Sequence, residues 1–193
     1  MFEVAYKSID EVDIYDDIII NSLSQYRLNK LKNLKLENAK RESVAAEILL
    51  IQLLTHHFYE ITLPLKIEVN EKGKPYLANM HGVYFNLSHS NGMVCCAIAN
   101  SEVGVDIQHM GEYKKEIANR FFTAYEQEYI KGSANEKNAF YEIWTKKEAL
   151  LKCKGTGLGT MSCESVFSAE NNGYSFKCNQ KGEYMICACI KNI

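Results

Sequence analysis

A surplus of charge is the plainest thing this 193-residue chain lacks: 22 Lys and Arg stand against 24 Asp and Glu, a formal net charge of −2. No global field draws it to nucleic acid or to a membrane surface, so any anion site must be built locally. It also lacks an apolar run long enough to span a bilayer and a charged opening segment followed by an apolar one, which leads us to expect a cytoplasmic location. Its seven cysteines include no Cys-x-x-Cys, and Cys95-Cys96 and Cys187-x-Cys189 lack the spacing of a structural zinc site. They are expected to be buried, reduced thiols. With only two prolines, the chain has no proline-rich linker. At this length it can bury enough surface to fold without staples, as one large domain or two small ones.

Against that background one stretch stands out, residues 140–158. Phe140, Ile143, Trp144, Lys147 and Leu151 fall on one face at helical spacing, which sets a lysine in the middle of an apolar stripe. Glu148 and Lys152 stand at i and i+4 on its shoulder, and Gly155 and Gly157 supply the helix stop. The pair reads either as an ordinary surface ion pair or, given partners from elsewhere in the chain, as part of a site.

Candidates for those partners are spread along the chain. Residues 2–6 suit a short strand and 10–17 an acidic connector. Residues 21–59 are helical in pattern, and their Arg27, Lys30, Lys32, Lys40 and Arg41 form either a solvated face or a phosphate-gathering one. Residues 65–69 alternate as a strand before a turn that carries Lys74. Strands over 83–87 and 93–99 flank Ser88-His89-Ser90, which reads as a hairpin turn or as a hydroxyl and imidazole at a strand end, gripping an anion. Asp106 sits inside a short apolar strand over 104–108, where a carboxylate needs a cation or a metal. Two helical pieces fill 111–135, with Phe121 and Phe122 between them and Glu126 opening the second. Residues 165–167, 173–178 and 184–190 read as closing antiparallel strands. The stretch 91–98 is echoed at 181–190, which favours an α+β chain of two similar lobes, 1–101 and 102–193.

Three of these segments, in order, resemble the signatures of the monomeric, two-lobed 4′-phosphopantetheinyl transferases: Phe85-Asn86-Leu87-Ser88-His89-Ser90, Gly104-Val105-Asp106-Ile107-Gln108, and Trp144-Thr145-Lys146-Lys147-Glu148-Ala149-Leu150-Leu151-Lys152. Gly73-Lys74-Pro75 matches a further turn of that family, and the resemblance covers about residues 20–167. It implies two α/β lobes in pseudo-twofold arrangement, each with a small, mainly antiparallel sheet and packed helices. It also implies transfer of the phosphopantetheine arm of coenzyme A to a serine of an apo acyl or peptidyl carrier protein, with release of 3′,5′-ADP. On this resemblance Asp106 and Glu148 hold a magnesium ion, Lys147 and Lys152 face the phosphates, and Arg41, Lys74, Ser88 and His89 grip the nucleotide end of coenzyme A. It further implies that Glu148, directly or through a metal-bound water, takes the serine proton, that Lys152 steadies or protonates the departing 3′,5′-ADP, and that Glu126 matches a family carboxylate near the metal and the nucleophile. Ile117, Phe121 and Phe122 form an apolar landing surface for the carrier's helix, or the two phenylalanines are simply core. The family's second signature reads Asp-x-Glu, whereas this chain has Gln108 at the third metal-ligand position. That departure keeps a second class open, a degenerate relative that binds coenzyme A or a carrier without transfer. A third class, a plain interaction module, leaves Asp106 and Lys147 unexplained.

Overall fold

The structure is a computed structural model that describes residues 1–156 and 164–192. The chain divides into two compact units, Met1–Asn100 and Ser101–Ile193.

In the first unit, strand β1 (Phe2–Ser8) is followed by three helices, α1 (Asp17–Ser22), α2 (Gln25–Lys32) and α3 (Glu37–His57), then by the small hairpin of β2 (Ile67–Val69) and β3 (Pro75–Leu77), and by β4 (Tyr84–Ser90) and β5 (Met93–Ala99). The sheet order is β1-β5-β4, all antiparallel. β5 is the central strand, and its continuous apolar run, with Val94 to Ala99 fully buried, reflects that place. α3 packs across the sheet, sealing a core of Leu50, Leu54, Val94 and Ile98 with others. Ser88, His89 and Ser90 extend β4 rather than forming the turn. The turn is Asn91-Gly92, with φ of 45° and 83°. Both residues need the left-handed region, as a two-residue hairpin of the mirror type requires, and Asn-Gly supplies it at low cost.

The second unit repeats the plan. Strand β6 (Val103–His109) leads into α4 (Lys115–Phe121), α5 (Ala124–Lys131), α6 (Glu136–Lys154) and α7 (Val166–Asn171), and the chain closes with β7 (Tyr174–Lys181) and β8 (Tyr184–Lys191). The order β6-β8-β7 matches β1-β5-β4, and β8 is again the buried centre. Residues 166–167, expected as strand, open α7 instead: the Ser165 side chain caps it, accepting from Phe167 N. The α6 helix ends where Gly155 takes a left-handed φ of 64° and returns its N–H to Leu151 O. Gly157 and Cys163, included in the sequence expectations, lie outside the described residues.

The thiol expectation holds in part. Cys95, Cys96, Cys153 and Cys189 are buried thiols outside any disulfide, but Cys178 and Cys187 form a disulfide. They are direct cross-strand partners in the β7–β8 register, a relation that only the pairing of the strands reveals.

Candidate active site

In the second unit Asp106, Glu148 and Lys152 meet where α6 crosses β6. Gly104 makes this approach possible: a Cβ there would stand 2.1 Å from Ala149 O and 2.3 Å from Cys153 N, both of them backbone atoms. With the helix lying that close, Asp106, two residues along on the same face of β6, meets the last turns of α6. Lys152 Nζ lies 2.6 Å from Asp106 Oδ1 and also donates to Val105 O at 3.2 Å. Gln108 Nε2 donates to Asp106 Oδ2 at 3.1 Å. Asp106 is 2% exposed, so the carboxylate predicted to need a cation has one, from Lys152 rather than from a surface pair between Glu148 and Lys152.

Glu148 completes the group at 7% exposure. Burial above all, and then the negative charge of Asp106, push its carboxyl from 4.5 up to about 7, while Lys152 pulls the other way. A carboxyl of that kind exchanges a proton at neutral pH. Two carboxyl groups, an ammonium and an amide thus share one edge of the sheet. Beside Gln108 opens a cavity of about 190 Å³ walled by Ile117, Phe140, Tyr141 and Trp144, with His109 and Lys114 among its polar lining. Among the described residues, no group of three or more His, Cys, Asp or Glu side chains is placed to hold a metal.

Lys147 does not join this group. Its expected place was at the phosphates; instead its Nζ is buried, 3.1 Å from Glu126 Oε2, and donates to Glu164 O at 2.8 Å. Glu126 is equally committed. It closes the capping box of α5 through Thr123 N at 2.8 Å, and its Oε1 accepts from Val166 N at 2.9 Å. A fully buried carboxylate needs several donors, and the lysine in the apolar stripe is one of them. Glu126 therefore ties α5, α6 and α7 together. Phe122 is core, 6% exposed, with Lys147 Nζ over its ring. Phe121 is half-buried and packs against Trp144, and Ile117 stays at the cavity wall.

The first unit holds the other expected residues. His89 is 55% exposed by its side chain, with Nδ1 2.9 Å from Glu42 Oε2, and the other oxygen of Glu42 accepts from Gly92 N at 3.1 Å. Glu42, not singled out in the sequence, thus docks the β4–β5 turn on α3 and holds the imidazole by the same carboxylate. Arg41, its neighbour in α3, pairs with Glu37 at 2.9 Å and donates to Val12 O at 3.2 Å. Ser88 is buried in β4. Lys74 lies in the β2–β3 turn, its backbone N–H held at 3.0 Å by Asn70 Oδ1. Of the remaining basic candidates, Arg27 is structural, buried against Glu47 and Ser43. Burial, and then the charge of Arg27, hold Lys30 below the ordinary lysine value.

Residues 102–191 match the model of the 4′-phosphopantetheinyl transferase superfamily. The chain is 41% identical over 93 residues to the 4′-phosphopantetheinyl transferase gsp of Aneurinibacillus migulanus, covering 46% of this chain and 38% of that protein. It is 28% identical over 152 residues to the 4′-phosphopantetheinyl transferase Sfp of Bacillus subtilis, covering 78% and 63%. A putative 4′-phosphopantetheinyl transferase of Haemophilus influenzae is 28% identical over 194 residues, covering 92% and 78%. The chain thus spans less than two thirds of the length of the first two, and the resemblance read from its three signatures is to the same proteins.

Proposed function

We propose that this relative of the Sfp-type 4′-phosphopantetheinyl transferases moves the phosphopantetheine arm of coenzyme A onto a serine hydroxyl of an apo carrier protein, releasing 3′,5′-ADP. The observation that carries the reading is the meeting of Asp106, Glu148 and Lys152 where α6 crosses β6. Phosphoryl transfer asks a protein mainly for positioning and for charge stabilisation, and this group offers a cation, a carboxylate pair and a proton acceptor.

The donor set suits magnesium, which binds through one or two carboxylates and substrate phosphates and keeps several waters. Asp106 and Glu148 are those carboxylates, with the Gln108 carbonyl oxygen as a neutral third candidate. When bound, the ion neutralises charge on the diphosphate. Glu148 accepts the serine proton, and the serine oxygen forms its bond to the β-phosphorus as the bond to 3′,5′-ADP breaks. Lys152 steadies the departing phosphate. His89, Ser88, Arg41 and Lys74 are assigned to the nucleotide end, and the cavity beside Gln108 to the arm. Lys147 is not assigned to a ligand, since Glu126 holds its charge.

The test is a panel of purified apo carriers incubated with coenzyme A and magnesium and read by intact mass. A gain of one phosphopantetheine, abolished by EDTA, is the expected result, and no gain on any carrier overturns the reading. Gln108 favours one competitor, a protein that binds without transferring; saturable coenzyme A binding with no mass gain across the panel would establish it.

A further inference from the structure

The geometry around Asp106 points to Lys152 as a resident counter-ion that fills the cation place of the site until a diphosphate-bearing ligand draws it off, so that magnesium enters with the ligand and not before it. This rests on the phosphoryl-transfer reading above. Both oxygens of the nearly inaccessible Asp106 carboxylate are engaged, Oδ1 by Lys152 Nζ at 2.6 Å and Oδ2 by Gln108 Nε2 at 3.1 Å. A carboxylate only accepts, so the amide turns its nitrogen inward and its carbonyl oxygen away. A third contact anchors the ammonium: Val105 O, on the same strand, accepts from Nζ at 3.2 Å.

The charges make the same point. The side chain at position 108 is neutral, so the single negative charge of Asp106 is matched by the single positive charge of Lys152 at ion-pair distance. Glu148 is then the one carboxyl of the group left to attract a divalent ion, and magnesium, which parts reluctantly with its waters, binds such a site weakly. A diphosphate changes the balance. Its oxygens give the ammonium acceptors of higher charge than one carboxylate, and they add ligands for the ion, so the move of Lys152 to phosphate frees Asp106 Oδ1. Lys152 thus acts as a positioning residue before ligand arrives and as a phosphate contact afterwards. The half-exposed Lys152 side chain has room for that movement, being 29% exposed where Asp106 is 2%.

The prediction has an unusual sign: removing a cation that the reaction uses should improve metal binding to the free protein. Isothermal titration of the full chain with magnesium chloride alone is expected to show no saturable binding below about millimolar in wild type. Saturable binding is expected once coenzyme A is present. Lys152→Met and Lys152→Gln should each bind magnesium alone at least roughly tenfold more tightly, because the competing charge is gone, while losing carrier modification. Thermal unfolding selects whichever variant keeps the fold. Magnesium affinity unchanged or weakened in the folded variant overturns the assignment, as does micromolar binding of magnesium to wild type without coenzyme A; in both cases carrier modification by wild type would leave the functional reading standing. If wild type binds neither magnesium nor coenzyme A, separately or together, both fall.

Discussion

Glu148→Gln should make the protein more stable above neutral pH and leave it nearly unchanged in acid. The cause lies in a carboxyl that folding lifts from 4.5 to about 7, through burial first and then through Asp106. Between those values the folded state holds a proton that the unfolded chain has released. The protein therefore binds more protons folded than unfolded, and stability falls as pH rises through that window. Below about 4.5 the protonated carboxyl costs little; above about 7 the ionised one is carried in full. One pKa unit corresponds to about 1.4 kcal/mol, which sets an upper limit of about 3.4 kcal/mol, and solvent screening at a site open to ligands lowers it to on the order of 2 kcal/mol. For a chain of this size that is a difference in Tm of roughly 4–8 °C. The assay is thermal unfolding in EDTA at several pH values from 4.5 to 8.5, wild type beside the variant. Taking the difference between the two removes every contribution that wild type and variant share, that of the five histidines included. The gap should open between pH 4.5 and 7 and stay open above. A constant gap across the whole range would refute the reasoning, since an amide that only repacks the site has no proton to lose.

Gly104→Ala puts a methyl group against the backbone of α6, 2.1 Å from Ala149 O, so helix and strand must separate; a loss of more than about 3 kcal/mol in denaturant unfolding is expected, and a loss below about 1 kcal/mol would mean that α6 does not lie so close. Glu126→Gln strands the buried Lys147 charge and should cost about 3–5 kcal/mol, whereas the double change Glu126→Gln with Lys147→Met should recover part of the loss; equal stability of single and double variants would show that the pair is not coupled.

Much of this was legible in the sequence because it depends on local pattern. The span of β5, the two helical pieces around Phe121 and Phe122 and the long helix around Trp144 follow from periodicity, and the charge at Asp106 announced its need of a partner. What was not legible depends on which strands and helices meet. Cys178 and Cys187 are nine residues apart in the chain with nothing in their spacing to mark them, and become partners only through register. Glu42 looks like one more helix-surface acid until β4 brings His89 to it. Residues 165–167 carry an apolar pair that suits a strand as well as a helix, and the Ser165 cap decides for the helix. Lys147 misled for a related reason: a lysine in an apolar stripe signals a buried partner, but the partner's identity lies on α5.

Lys147 also explains the faint repeat. In each unit the long helix buries one ion pair with the helix before it, α3 through Glu47 and Arg27 at 3.0 Å and α6 through Lys147 and Glu126 at 3.1 Å, with the signs exchanged. Each carboxylate of these pairs also accepts a backbone N–H from the N-cap residue of the shorter helix, Glu47 from Ser24 and Glu126 from Thr123. A buried pair wired into a helix start fixes how the long helix is rotated, because turning it would leave two charges and a cap unsatisfied. The sequence echo at 91–98 and 181–190 records only the central strands, whereas the repeated element that orients the chemistry is this pair. In the second unit, a rotation that points Lys147 inward to Glu126 brings Lys152, five residues on, to Asp106 on β6. The signature thus divides its lysines between two tasks: Lys147 sets the helix, and Lys152 meets the charge.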